Sequence, residues 1–316
     1  MQQRTLGSTG LAVGAIGLGC MGMSFAYSPA KRDDEESIRV IGAAIDKGVT
    51  LIDTADVYGP FTNEKLVGRA LRARRDEVVL ASKCGLVVRD GAIVPSGRPD
   101  HIRAAAEHSL QRLGTEVIDL YQLHRVDPDV PVEDSWGAMA ELVTAGMVRH
   151  IGMSEATVDQ LAAAHAVHPV ATVQSELSLW SRDQLDKVVP WCREHNAAFI
   201  AYSPLGRGYL TGALTKADQL EADDWRRGNP RFQAETIARN QRILAAIDDV
   251  ARARSATKAQ VALAWVLALS EDIVPIPGTR RLIHLEENLA AADLRLTDAD
   301  LRALDPIADH VVGDRY

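Results

Sequence analysis

Short apolar segments alternate with longer amphipathic ones along almost the whole chain. This regular exchange of a two-residue period for a helical one limits the fold more than any other feature. Strands are expected at 15–18, 51–52, 78–82, 118–123, 150–153, 170–174, 198–202 and 273–275. Helices are expected at 33–47, 63–74, 99–113, 133–145, 157–167, 183–195, 234–254, 257–269, 281–291 and 298–307. The first of these opens on acidic residues, repeats Ile38, Ile41 and Ile45 at helical spacing, and stops at Gly48. Pro99 starts the third and Gly146 ends the fourth, the usual order for those two residues. Ahead of the alternation, Arg4-Thr5-Leu6 and Leu11-Ala12-Val13 flank Gly7-Ser8-Thr9-Gly10, which reads as a small hairpin. Eight strand–helix units in a chain of 316 residues fit a closed barrel better than an open sheet. The expected fold is therefore α/β: a (β/α)8 TIM barrel with an N-terminal β-hairpin and extra C-terminal helices. No composition break marks a linker, so residues 1–316 are expected to form one domain, with a long irregular loop over 205–231.

Composition narrows the functional classes. A hydrophobic content of 47% and a charged content of 25% suit a globular core and exclude wholesale disorder. The net charge of −8 disfavours a nucleic-acid partner. Cys20, Cys84 and Cys192 form no CxxC pair and leave an odd number, so no disulfide framework is expected. The N-terminus lacks the apolar stretch of a signal peptide. No run of about 18 apolar residues would span a bilayer. A reduced, cytoplasmic protein without a membrane partner is the expectation, and nothing in the sequence selects an oligomeric state.

Gly17-Leu18-Gly19-Cys20-Met21-Gly22 matches the dinucleotide pattern GxGxxG after an expected strand. That pattern works only when a helix opens at the turn and points its N-terminus at a pyrophosphate. Met23-Ser24-Phe25-Ala26-Tyr27-Ser28-Pro29 follows here, and no helix is expected before about Asp33. The segment is read instead as a glycine-lined first loop with Met21 and Met23 as apolar wall.

Three consecutive strands end in ionisable residues. Leu51-Ile52 runs into Asp53, with Tyr58 on the loop that follows; 78–82 runs into Lys83; 118–123 runs into His124. Each residue has a plain explanation alone: a helix cap, packing, a solvated lysine, a satisfied buried histidine. Together they would sit on the barrel edge where active sites are built. A tyrosine ionises near pH 10, so acid catalysis at neutral pH calls for a lowered pKa. A lysine ammonium at about 4 Å supplies roughly 4 kcal/mol at an effective dielectric near 20, against which desolvation works. Asp53 would hold Lys83 charged, and His124 would donate a hydrogen bond to a substrate oxygen. Such a set protonates a carbonyl oxygen as a hydride reaches its carbon. Cys84 is read as packing, since no base adjoins it.

A second group suits phosphate. Ser203-Pro204-Leu205-Gly206-Arg207-Gly208 leaves the seventh strand and Ile276-Pro277-Gly278-Thr279-Arg280-Arg281 leaves the eighth. Loops after strands seven and eight form the usual phosphate site of this barrel. Small residues with free N–H groups and an arginine can wrap a pyrophosphate. Arg280 with Thr279 can neutralise an extra phosphate on an adenosine ribose, and Glu287 and Asn288 can bond an adenine edge.

The chain resembles the aldo-keto reductases from end to end. The resemblance is carried by Asp53-Thr54-Ala55-Asp56-Val57-Tyr58-Gly59, Lys83, Asp119-Leu120-Tyr121-Gln122-Leu123-His124, 146–154, 202–208, 276–280 and Glu287-Asn288. The pattern is most similar to the bacterial and plant auxin-induced, perakine-reductase-like branch. The resemblance implies a barrel that binds NADPH without a Rossmann domain and passes hydride between the nicotinamide and an aldehyde, ketone or alcohol, without a metal. It implies Tyr58 as acid/base, Lys83 and Asp53 as its tuners and His124 as the group that orients the carbonyl. Ser154 and Gln174 would hold the carboxamide, and Tyr202 would stack on the nicotinamide. Ser203, Leu205, Gly206 and Arg207 would clamp the pyrophosphate. Thr279, Arg280 and His284, on the loop with Gly278, would surround the 2′-phosphate, with Glu287 and Asn288 at the adenine. Two departures stand out: Glu155 replaces a common Asn after Ser154, and Gly278 replaces a common lysine. The substrate pocket is expected from Met21, Met23, Phe25, Arg125 and Trp180, with the 86–95 loop and the 225–232 segment. No long C-terminal loop is expected over it. A rival implied by the same family is an NADPH-binding, redox-sensing β-subunit of a channel; the absence of a long segment before Arg4 weighs against it.

Overall fold

Residues 1–315 are described by a computed structural model. Eight parallel strands form one sheet in which neighbours follow their order along the chain. They are β3 (Leu18–Gly19), β4 (Leu51–Asp53), β5 (Val79–Cys84), β8 (Ile118–Leu123), β9 (Val148–Ser154), β10 (Thr172–Glu176), β11 (Ala198–Tyr202) and β12 (Ile273–Pro275). The two edges meet: the Gly17 N–H donates to the Pro275 carbonyl at 2.9 Å and the Gly19 N–H to the Pro277 carbonyl at 3.4 Å. This closes the sheet, so the (β/α)8 barrel expected from the alternation is the fold.

Side chains one residue apart on a strand point to opposite faces, and the two faces have different fates here. Leu51, Val79, Ala81, Leu120, Ala198, Ile200 and Val274 form one apolar cluster inside the barrel. Ile52, Leu80, Tyr121, Leu123, Ile151, Met153, Val173 and Phe199 belong to the larger layer under the helices. The inward series continues upward into Asp53, Lys83, Gln122, His124, Ser154, Gln174 and Glu176, all buried. The barrel thus has an apolar floor and a polar top at its C-terminal end.

The hairpin of β1 (Gln3–Thr5) and β2 (Ala12–Gly14) closes the floor, with Leu6 and Val13 in the inner cluster. Arg4 fixes it to the barrel by donating to the carbonyls of Ser270 and Leu267, each at 2.8 Å. Ten helices cover the outside of the barrel or extend past its last strand: α1 (Asp34–Asp46), α2 (Thr62–Leu71), α3 (Pro99–Leu113), α4 (Val132–Thr144), α5 (Val158–Val167), α6 (Val188–Glu194), α7 (Ala234–Ala253), α8 (Lys258–Leu269), α9 (Leu282–Ala290) and α10 (Asp298–Leu304). Their starts are written locally. Asp33 accepts the Glu36 N–H at 3.0 Å to cap α1, and reciprocal Thr–Gln pairs box the starts of α5 and α8.

Three expectations need correction. The strand placed at 15–18 is only Leu18–Gly19, because the Ala15 N–H donates to the Gln2 carbonyl at 2.8 Å and ties the approach to the N-terminal hairpin instead of the sheet. The helix placed at 183–195 begins at Val188, since Pro190 is tolerated only in a first turn. The 86–95 loop is a second hairpin, β6 (Leu86–Arg89) with β7 (Ala92–Pro95), turned by Asp90-Gly91 at φ 52° and 79°. The first α-helix starts at Asp34 and only a single 3-10 turn, Met21–Met23, stands at the end of the Gly17–Gly22 pattern, so no α-helix opens there, as the sequence indicates. Among the described residues no helix is long and apolar enough to cross a membrane, and no cluster of His, Cys, Asp and Glu could hold a metal.

Candidate active site

The parallel register carries Asp53, Lys83 and His124 to one end of the sheet. The Lys83 ammonium donates to Asp53 Oδ1 at 2.5 Å and to the Thr54 carbonyl at 2.8 Å. It stands 5.3 Å from the centre of the Tyr58 ring. The His124 ring meets Tyr58 edge-on, with centroids 5.6 Å apart and planes at 85°. The four residues expected to act together are brought together.

Their electrostatics follow from burial. Burial pulls the Lys83 ammonium down, but the Asp53 charge and the groups of Asp53 and Tyr58 outweigh it, so its pKa is raised and it stays charged. Burial, then the positive charges of Lys83 and Arg125, push His124 well below the usual histidine range, so it is a neutral imidazole. Its Nδ1 is buried without a partner. Tyr58 corrects the sequence expectation. Burial raises its pKa, and the opposing pull of Lys83 does not overcome it. Tyr58 is a fully protonated phenol at neutral pH.

The sequence reading named Gln174 for a carboxamide but did not foresee that Gln174 and Gln122 hold Asp53. Gln174 Nε2 donates to Asp53 Oδ2 at 2.8 Å and to Gln122 Oε1 at 3.4 Å, while Gln122 Nε2 donates to the same Asp53 oxygen at 3.3 Å. Both carboxylate oxygens are therefore occupied, and the Gln174 carbonyl is left to accept. Gly152 makes room for this layer: a Cβ there would lie 3.2 Å from Gln122 Cγ and 2.2 Å from Thr172 Oγ1. Gln122 was readable, since it sits two residues before His124 on the same face of β8.

Behind the tetrad lies a second buried cluster. Glu64 accepts from Ser82 Oγ at 2.5 Å and from Arg112 Nε at 2.7 Å. Burial, and then the Glu64 charge, push Asp56 up to about 8.

The loops expected to meet a dinucleotide line the same end. Ser203, Gly206, Arg207 and Gly208 all have left-handed backbones, with φ of 49°, 56°, 56° and 94°. Such a turn gathers N–H groups into a concave surface. Leu205 and Tyr202 are half-buried beside it. Arg207, however, pairs with Glu176 Oε2 at 2.8 Å and donates to the Arg315 carbonyl at 3.0 Å. Ser154 Oγ accepts from Arg125 at 3.1 Å. Glu155, at φ 55°, accepts the Glu176 N–H at 3.0 Å and pairs with Arg315. The C-terminal tail thus reaches this end of the barrel, which the sequence reading did not expect. Glu176 was missed as well, although it follows Gln174 by two on the inward face.

On the last loop, Gly278 packs against β3: a Cβ there would lie 2.9 Å from the Gly19 carbonyl. Thr279 and Arg280 are half-buried, and His284 is exposed and lies 3.3 Å from Glu287. Asn288 is buried. Around Tyr58 stand Met21, Phe25 and Leu86, with Phe25 stacked at 6.0 Å. Two of the expected pocket residues lie deeper. Met23 is in the core under the helices, and Trp180 is buried and stacked on Tyr209 at 4.8 Å.

Comparison with known proteins agrees with this geometry. The model of the aldo/keto reductase family matches residues 15–309. A probable aldo-keto reductase of Glycine max is 42% identical over 321 residues, spanning 100% of this chain and 92% of the relative. A glycerol dehydrogenase from Gluconobacter oxydans superposes with a TM-score of 0.88 at 30% identity, over 98% of this chain and 96% of that one. An aldo/keto reductase from Klebsiella pneumoniae, solved with NADP and acetate, does so with a TM-score of 0.74 at 29% identity, again over 98% and 96%. With the barrel, the buried four-residue cluster and the family match in agreement, the chain belongs to the aldo/keto reductase family.

Proposed function

We propose that the protein is an NADPH-dependent oxidoreductase that reduces aldehydes or ketones to alcohols, with Tyr58 as general acid. The observation that carries this reading is the buried phenol of Tyr58 set against the Lys83 ammonium on one side and the neutral His124 ring on the other. The residues fit the cofactor. The left-handed turn at Ser203–Gly208 supports a pyrophosphate, the Gln174 carbonyl suits a carboxamide N–H, and α9 begins without a side-chain cap.

When bound, NADPH supplies the hydride that converts the carbonyl carbon to a C–H centre. His124 donates to the substrate oxygen and fixes its direction toward Tyr58. As charge grows on that oxygen, the Tyr58 O–H bond breaks and the proton passes to it, giving the alcohol. The phenolate left on Tyr58 faces Lys83, whose charge Asp53 maintains, and a proton from solvent restores it. Gln122 and Gln174 act as positioning residues for Asp53. The wall of Met21, Phe25 and Leu86 supports a carbonyl carrying an apolar or aromatic group.

NADPH oxidation in the presence of a panel of small aldehydes and ketones tests the reading. Turnover of one or more is expected. Tight NADPH binding with no turnover across the panel would contradict it.

A further inference from the structure

The first loop, after β3, turns at Ser28. The Ser28 carbonyl accepts the Lys31 N–H at 3.1 Å, and the Pro29 carbonyl accepts the Arg32 N–H at 3.3 Å. Arg280 reaches the same turn from the last loop and donates to the Ser28 carbonyl at 3.2 Å. Two guanidinium groups, from residues far apart in sequence, are thus held in one neighbourhood.

The surrounding charges leave these two unbalanced. Lys31 pairs with Glu221 at 3.0 Å, and Arg226 pairs with Asp224 at 2.7 Å. Arg32 has no ion pair among the described residues, and its Nε is buried without an acceptor. Burial, and then the charge of Arg32, lower the pKa of Arg280, with Glu221 and Asp224 only partly opposing. A pair of like charges that nearby carboxylates offset only in part is unfavourable until an anion joins it. The N-terminus of α9 opens two residues beyond Arg280, with no side-chain cap and no acidic residue in its first turn. That end adds free N–H groups and the positive pole of a helix.

We propose that Arg32 is the second arm of a two-arginine clamp, with Arg280, for the phosphate monoester on the 2′ position of the cofactor's adenosine ribose. This rests on the reading of the chain as an NADPH enzyme. The charges match, since a phosphate monoester carries close to two negative charges at neutral pH. It also supplies the cation that Gly278 does not offer on the last loop. The pyrophosphate has its own candidate cradle at Ser203–Gly208, which leaves the arginine pair for the ribose phosphate.

Binding is measured for the wild type, Arg32→Ala, Arg32→Lys and Arg280→Ala, by tryptophan fluorescence and calorimetry at one salt concentration. The probes are NADPH, NADH, adenosine 2′,5′-bisphosphate and AMP. Arg32→Ala is expected to weaken NADPH and the bisphosphate about tenfold or more, as for loss of a charge-assisted hydrogen bond, and to leave NADH and AMP within about twofold. Arg280→Ala follows the same pattern, and Arg32→Lys falls between wild type and alanine. Equal weakening of NADPH and NADH by Arg32→Ala would overturn the clamp and place Arg32 on the pyrophosphate. Unchanged NADPH affinity would overturn it as well. Wild-type protein that binds neither nucleotide would instead remove the reductase reading beneath it, and this is seen before any variant is made.

Discussion

Tyr58 has to release a proton from a place that burial makes costly to ionise. Lys83 lessens that cost without cancelling it, so the free phenol stays protonated and is ready to act as an acid. Its charged partner matters most after transfer, when a phenolate has formed. Asp56, three residues after Asp53 and two before Tyr58, is buried within reach of the Glu64 charge and gives a separate test of these electrostatics. Its pKa rises from 3.8 to about 8 on folding. Between those values the folded state holds a proton that the unfolded state has lost, so stability falls as pH rises through that window. Asp56→Asn lacks this term. The wild type should lose stability relative to Asp56→Asn by up to about 1.4 kcal/mol per pH unit between about pH 4 and pH 8. Urea melts of both proteins at pH 5 and pH 7.5 check this, and parallel pH dependence would contradict it. His124 works with the opposite sign. Its lowered pKa means that the unfolded chain takes up a proton first, so its term costs stability as pH falls below about 6.5.

At the scale of elements, most strands and helices were readable because each carries its own period and stop signals. The errors have local causes. Pro190 shortens α6, and Asp90-Gly91, a strong hairpin signal, turns β6 into β7 where a plain loop is expected. The N-terminal hairpin shows how tightly one element can be fixed. Gly7 has φ 52°, and a Cβ on it would lie 2.3 Å from the Asn196 carbonyl and 2.7 Å from the Ala198 N. Gly7→Ala would combine a left-handed alanine with a clash against rigid backbone at the start of β11. A loss of about 2 kcal/mol or more is expected. A shift of the urea midpoint at constant m-value measures it, and an unchanged midpoint would show that the hairpin is free to move away from the barrel floor.

At the scale of the molecule, closure of eight parallel strands puts residues from distant parts of the chain at one end. The sequence made Asp53, Tyr58, Lys83 and His124 legible because they fall at or just after the ends of three strands adjacent in the sheet. The strand-seven and strand-eight loops were legible from small residues and arginines. The cross-barrel partnerships were not. Gln122 and Gln174 reach Asp53 across separations of 69 and 121 residues, and Arg207 turns to Glu176 and the C-terminal tail. Such pairings depend on register and rotamer, which no local pattern encodes. The most direct measurement of the central claim is NADPH oxidation by wild type and Tyr58→Phe with the best carbonyl of the panel, alongside the NADPH dissociation constant of each. The account predicts that Tyr58→Phe lowers kcat by roughly a hundredfold or more, with NADPH affinity nearly unchanged. Near-normal turnover by Tyr58→Phe would contradict it.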